Sequence, residues 1–290
     1  MSTRLRHRST MFEECASVGV GTPRVEQYQA VVRSPLFAEL EGWSGSFLKT
    51  NPIVQQSYGW VQDPLHQWSR QWEYPFVLEY IGRELNANGT ARCHILDAGS
   101  GATFFPFFLK KRWPDIALTC CDYDQSLARI FSGVQAPLLP QFQIAFRSAP
   151  LQQLPFDDGQ FAILYCISVL EHTSDYAAIV REFHRVLRPG GLLLATFDIG
   201  LDGVSEISPD QADRLHHIIL SHFHLTEPAE DPSESFAAGI TSSQLGKVDA
   251  ALLPWRYPFL SWIKAIVKSR KVPTHLCKNL TVFCCGYRKS

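Results

Sequence analysis

The chain has 290 residues, 46% of them hydrophobic and 19% charged, with a formal net charge of -1. That length and apolar content support one substantial core. The charge balance lacks the basic excess that polyanion binding needs and so points away from nucleic acid, and no apolar run reaches membrane-spanning length. A soluble globular protein acting on a small, largely uncharged molecule is expected. Residues 1–10 carry Arg4, Arg6 and Arg8 with no long apolar run behind them, so they read as an unstructured start and not as a secretory signal. Of the eight cysteines, Cys93, Cys120, Cys121, Cys166, Cys284 and Cys285 fall in apolar, strand-like runs without paired metal-ligand spacing. They read as small core residues in a reducing, cytoplasmic setting, with no metal expected.

A helical pattern surrounds Val25, Tyr28, Val32 and Leu36, and a Gly-, Ser-, Asn- and Trp-rich stretch that reads as loop follows it to about residue 60. Pro64 to Leu85 reads as a helix despite Pro75, with Trp68, Trp72, Val77, Tyr80 and Ile81 on one approximate face. From there the pattern alternates. We expect strand 93–98, helix 104–112, strand 116–122, helix 124–132, strands 141–147 and 161–168, helix 174–187 and strand 191–198. A helix from Pro209 to Phe223 with Ser208 as N-cap, a short strand near Leu225 and a last strand within 279–288 complete it. Such alternation requires parallel strands joined by right-handed crossovers, and the nearly unbroken apolar runs Phe161–Ile167 and Leu192–Phe197 suit strands covered on both faces. The expected fold is α/β, a Rossmann-like, doubly wound and mostly parallel seven-stranded sheet. Residues 76–228 and 279–290 form its core, residues 1–75 a helical extension, and residues 229–278 an inserted lid.

The first strand, His94-Ile95-Leu96-Asp97-Ala98, runs into Gly99-Ser100-Gly101. Glycine is needed in such strand-to-helix turns because the backbone adopts conformations that a side chain forbids and a ligand must approach the main chain closely. The third glycine of the dinucleotide fingerprint is missing, since position 104 is Phe. Asp122 ends the second strand, where a carboxylate can hold the two hydroxyls of a ribose.

Taken together, Asp97-Ala98-Gly99-Ser100-Gly101, Asp122, Leu154-Pro155-Phe156-Asp157-Asp158-Gly159-Gln160-Phe161, Val169-Leu170-Glu171-His172 and Leu187-Arg188-Pro189-Gly190-Gly191 resemble the class I S-adenosylmethionine-dependent methyltransferases. The likeness is to the small-molecule group called methyltransferase type 11. It spans residues 94–198, with an antiparallel last strand implied, and residues 1–65 and 229–278 match nothing placed. The resemblance implies S-adenosyl-L-methionine as cofactor. Ala98, Gly99, Ser100 and Gly101 would lie against its methionine part beside Asp97, Asp122 would hold the ribose, and Tyr123 would flank the adenine. The family's usual acid for the adenine amine falls on Pro150, a departure that leaves the base to backbone groups around Ala149 and Leu151. Cys166, Ile167 and Ser168 end the fourth strand and would floor the site beneath the sulfonium.

Methyl transfer asks the protein for alignment, exclusion of water and, for a protonated acceptor, a base. His172 is the first candidate because histidine titrates near neutrality, and packing over the cofactor is its plainer role. Asp198 is the alternative. Arg70 is placed to pair with the methionine carboxylate and Tyr74 to close the pocket, or both belong to a helix face carrying core aromatics. Tyr58 and Trp60 either roof the acceptor site or pack the extension on the sheet. Leu252 to Lys271 mixes aromatics with basic residues, as a lid over a partly apolar or aromatic acceptor would, or as a helix making peripheral membrane contact. The competing assignments are a nicotinamide-dependent oxidoreductase, which would show a third glycine and a Tyr or Lys motif, and a non-catalytic scaffold of the same fold. The acceptor atom, O, N or C, and the oligomeric state are not readable.

Overall fold

The computed structural model describes residues 18–57, 63–90, 93–135, 144–203, 206–235, 239–248 and 279–290, together with 263, 266 and 267. The arginines of residues 1–10, Tyr58 and Trp60, and all but three residues of the 252–271 segment lie outside the described residues.

Hydrophobic alternation becomes a single seven-stranded sheet of order β3-β2-β1-β4-β5-β7-β6. Its strands are β1 (His94–Ala98), β2 (Ala117–Asp122), β3 (Ala145–Ser148), β4 (Phe161–Ile167), β5 (Leu187–Gly200), β6 (Phe223–Leu225) and β7 (Leu280–Lys289). The first five pair in parallel, and β7 runs antiparallel to both β5 and β6. After β3 the chain crosses back over β2 and β1 to lay β4 on the other side of β1. Strand order therefore reverses between β1 and β4, the place where sheets of this kind open a crevice for ligands.

Helices cover both faces. On one lie α1 (Val25–Val32), α2 (Pro35–Thr50), α3 (Pro52–Ser57), α4 (Arg70–Asn88), α5 (Phe105–Arg112) and α6 (Leu127–Gln135). Their side chains Leu40, Phe47, Trp72, Phe76, Phe107 and Phe131 share one cluster with Leu118, Ile163 and Leu192 of the sheet. The other face carries α7 (Tyr176–Val186) and α8 (Pro209–Leu220), with Phe183 and Leu215 packed against Leu164, Leu193 and Phe283. Two short helices, α9 (Pro232–Ser235) and α10 (Ser242–Val248), precede β7.

Among the boundaries that differ from the expected ones are those of α2, α4 and β5; α6 is also shifted, to Leu127–Gln135, and α8 ends at Leu220, leaving Phe223 to β6. The stretch expected as loop after Leu36 is the body of α2. Ser34 caps it by accepting from the Phe37 amide (3.2 Å), Pro35 occupies its first turn, and Leu40, Phe47 and Leu48 are buried. Gly42 and Gly45 each cost such a helix about 1 kcal/mol, which the buried side chains outweigh. The helix expected from Pro64 starts at Arg70 and continues to Asn88, with Pro75 buried inside it. Finally, β5 begins at Leu187 and not at 191. Arg188-Pro189-Gly190-Gly191 forms an irregularity within the strand, where pairing slips from Phe161↔Leu187 to Ile163↔Leu192. Gly191 is required there, because a Cβ would meet the Arg188 carbonyl oxygen at 2.8 Å.

Candidate active site

A cleft of about 460 Å³ opens at the carboxyl ends of β1, β2, β4 and β5. Its floor begins with the loop after β1. Gly99 adopts φ +78, and a Cβ there would sit 2.6 Å from the Val169 side chain, so only glycine lets the loop lie against the segment after β4. The Gly99 and Ser100 amides donate to the Cys121 carbonyl (2.8 and 3.1 Å), which ties the loop to β2. Gly101 adopts φ +53, and a Cβ on it would meet nothing within 4 Å, so this turn faces open space.

Asp122 closes the same corner. Its Oδ2 accepts from the Gly101 amide (3.0 Å) and its Oδ1 from the Asp124 amide (3.0 Å). The carboxylate is thereby held at the mouth with lone pairs left for hydroxyls. Tyr123 beside it is 81% exposed, an uncommon state for so large a ring. Asp97, one pleat back, accepts from the Tyr165 hydroxyl (2.9 Å) and is buried. Burial pushes its carboxyl up to about 8; the Tyr165 bond opposes the rise and the charge of Asp122 adds to it.

The opposite wall joins α4 to the ends of β4 and β5. Glu73 is wholly buried, and its oxygens accept from the Arg70 guanidinium, the Ser168 hydroxyl (2.7 Å) and the Thr196 hydroxyl. Arg70 also donates to Ser168, which holds its side chain along the cleft. Ser168 itself sits at φ +47, and its amide donates to the Thr196 carbonyl (3.0 Å). A strained, fully bonded residue lining a crevice marks a site whose geometry the fold over-determines.

The cleft brings together, from the residues expected at the site, Arg70, Asp97, Gly99, Ser100, Gly101, Asp122, Tyr123, Ile167, Ser168, His172 and Asp198. Four others lie elsewhere. Ala98, Leu151 and Cys166 are buried in the second core cluster, and the Ala149 amide is taken by the Asp122 carbonyl (3.0 Å). Of the candidate bases, His172 stands at the rim with 59% of its side chain exposed and Nδ1 3.4 Å from Glu206 Oε2. Asp198 lies deeper, half-buried.

Glu171 carries a signal that its residue type did not give. It is buried, lines the cleft, and accepts the Asp198 amide on Oε1 (3.2 Å), while its Oε2 has no hydrogen-bond partner. Burial holds its carboxyl well above the usual carboxylate range; the charge of Asp198 reinforces this and that of Glu73 adds less, against the backbone hydrogen bonds.

Comparison with known proteins agrees with this geometry. The family model described as a methyltransferase domain matches residues 96–195. A malonyl-[acyl-carrier protein] O-methyltransferase of Laribacter hongkongensis is 33% identical over 139 residues, 45% of this chain and 46% of that one. A ubiquinone biosynthesis O-methyltransferase of Xanthomonas oryzae pv. oryzae is 25% identical over 209 residues, 67% of this chain and 78% of that one. Among solved structures, the [4+2]-cyclase SpnF shares the fold over 94% of this chain and 99% of its own, at a TM-score of 0.52 and 17% identity. Residues 96–195 thus match a methyltransferase domain, and the sheet order with its antiparallel β7 is the Rossmann-like fold of such domains. The chain spans about half the length of the first of these relatives. The nicotinamide-dependent alternative is not favoured. Among the described residues no helix is long and apolar enough to cross a membrane, and no cluster of His, Cys, Asp or Glu could hold a metal ion.

Proposed function

We propose that this protein transfers a methyl group from S-adenosyl-L-methionine to a small acceptor bound at the Asp198 end of the cleft. The observation that carries the reading is the paired fixture of Asp122 and the Gly99-Ser100-Gly101 turn at the strand-order reversal, inside the stretch that matches a methyltransferase domain. Asp122 is oriented to accept from ribose hydroxyls, and the open face of Gly101 admits a ligand against the main chain. Tyr123 supplies a ring to lie on the adenine. Arg70, fixed by Glu73 and Ser168, meets the methionine carboxylate, and Asp97 accepts from the ammonium group beside it. The bound cofactor supplies an electrophilic methyl on a cationic sulfur. The chain's own residues align the acceptor in line with that methyl and exclude water from it. The described walls of the cleft carry more carboxylates than cations, which disfavours an anionic acceptor and is compatible with the neutral, partly apolar or aromatic one expected from the sequence.

Titration calorimetry tests this. S-adenosylmethionine and S-adenosylhomocysteine should both bind and NAD should not. Asp122→Ala removes charge-assisted hydrogen bonds of about 1.5–3 kcal/mol, so affinity should fall about 10- to 100-fold. Binding of NAD alone, or an Asp122→Ala protein that binds as the wild type does, would overturn the assignment.

A further inference from the structure

Glu171 is the unexplained group of this cleft. A carboxyl side chain on a cleft-lining residue that is more than nine-tenths buried, with one oxygen buried and unpartnered, is costly to keep unless it has work there. Its other oxygen accepts the amide of Asp198, which sets the two acidic residues side by side on the same wall.

We propose that Glu171 and Asp198 act as one proton-holding pair, which takes the acceptor's proton as the methyl leaves the sulfur. This rests on the functional reading above and adds to it the identity of the base and the class of acceptor. The argument is one of charge. Two neighbouring carboxylates, one of them buried, cannot both ionise without help, so in the resting protein the pair keeps one proton on the buried Glu171. A sulfonium in the cleft adds one positive charge, which lets the pair release that proton and stand doubly ionised. During transfer the acceptor's lone pair forms the new bond to the methyl carbon. The carbon–sulfur bonding pair returns to sulfur, and the positive charge there disappears. The pair is then once more unable to stay doubly ionised, and it takes the proton that the acceptor must lose. Proton affinity thus rises at the step that needs it, and the pair ends singly protonated, as it began.

An acceptor with a transferable proton on oxygen or nitrogen, a hydroxyl or an amine, satisfies this balance. A carboxylate acceptor does not, since it has no proton to give and would meet like charge from Glu171 and Asp198.

The other titratable groups around the pair do not supply this proton. Glu73, packed from α4, has donors from Arg70, Ser168 and Thr196. Burial pushes the thiols of Cys166 and Cys284 and the Tyr176 hydroxyl upward, so they stay protonated near neutrality. His172, beside Glu206 at the rim, is open to water. Arg70 stays charged throughout. Asp97 faces the amino-acid part of the cofactor, which S-adenosylmethionine and S-adenosylhomocysteine have in common.

Calorimetry near pH 7.5 in two buffers of different ionisation enthalpy counts protons released on binding. The wild type should release up to about one proton more with S-adenosylmethionine than with S-adenosylhomocysteine. Glu171→Gln keeps an oxygen for the Asp198 amide, and it should abolish that difference while retaining both affinities within a few-fold. Asp198→Asn, which decides the matter should the first variant fail to fold, should do the same, whereas His172→Gln should leave the difference intact. Equal proton counts in the wild type, or an undiminished difference in Glu171→Gln and Asp198→Asn, overturn the pair. Failure of both ligands to bind the wild type instead overturns the functional reading itself, and the pair with it.

Discussion

Glu73 is a wholly buried carboxyl whose only cationic partner among the described residues is Arg70, itself 17% exposed along its side chain. Burying a charge this deeply is tolerable only while every lone pair is used, and three donors converge on it from α4, β4's end and β5. Arg70→Met should therefore destabilise the fold by about 3–5 kcal/mol in chemical denaturation, because it leaves the carboxyl without its countercharge. Adding Glu73→Gln to that background should recover part of the loss, a coupling on the order of 1–3 kcal/mol. Strictly additive losses would show that the ion pair contributes nothing. Arg70 is visible in the sequence because it belongs to the helix that precedes the strand running into Gly99-Ser100-Gly101. Glu73 was invisible there: an acid among Trp and Tyr on a helix reads as a solvated face, and its partners Ser168 and Thr196 are supplied by strands far along the chain. Glu171 was hidden differently. In the sequence it is half of Glu171-His172, where His172 is the residue that titrates near neutrality by type. In Glu171 proton affinity is produced by burial and by Asp198, and neither can be read from a list of residues.

At the scale of elements, strands and their turns were legible because period-two and continuous apolar runs are local signals, and β1, β2 and β4 lie within a residue or so of their expected bounds. The body of α2 was not, because Gly42, Ser44, Gly45 and Ser46 carry loop chemistry. What makes it helical is Trp43 edge-on to Phe108 at 5.6 Å and Phe47 stacked on Phe107 at 5.1 Å, contacts across the fold to α5. This layer is also tied down electrostatically. His66, just before α4, bonds Asp63 Oδ2 through Nδ1 (2.6 Å) and Glu41 Oε1 of α2 through Nε2 (2.9 Å). The Asp63 hydrogen bond leads in raising its pKa from 6.5 to about 9, with Glu41 helping against partial burial. The folded value exceeds the unfolded one, so the stabilisation is full below about 6.5 and disappears as pH rises through 9. These side chains are about one-third to one-half exposed, which limits the effect to about 0.5–1 kcal/mol. His66→Gln should cost that much at pH 6 and nothing measurable at pH 10 in urea titrations. A loss that is the same at both pH values would assign it to packing.

For the whole molecule the question is whether residues 1–75 behave as a cap that could be lost while the sheet core stays folded. The packing argues otherwise. Val18, Tyr28, Leu40, Phe47 and Val54 belong to the same buried cluster as Phe107, Leu118, Ile163 and Leu192, with no apolar boundary between extension and sheet. Gly21 adds a backbone link, exchanging hydrogen bonds with Cys284 of β7 (2.7 and 3.1 Å). A helix layer that supplies one face of the sheet with its cover cannot detach without exposing that face to water. Leu40→Ala, at a wholly buried position of α2, should then lower global stability by about 2–5 kcal/mol. The decisive reading is the coincidence of two probes. Tryptophan fluorescence includes Trp43 of α2 and the buried Trp68 and Trp72 at the start of α4, and far-ultraviolet circular dichroism reports the sheet and all the helices. In both wild type and variant the two curves should superimpose, and the variant should move them together. If the fluorescence transition moved to lower denaturant while the dichroism transition stayed in place, the extension would be a separately folding cap, and the cleft wall built from Arg70 and Glu73 would open before the core melts.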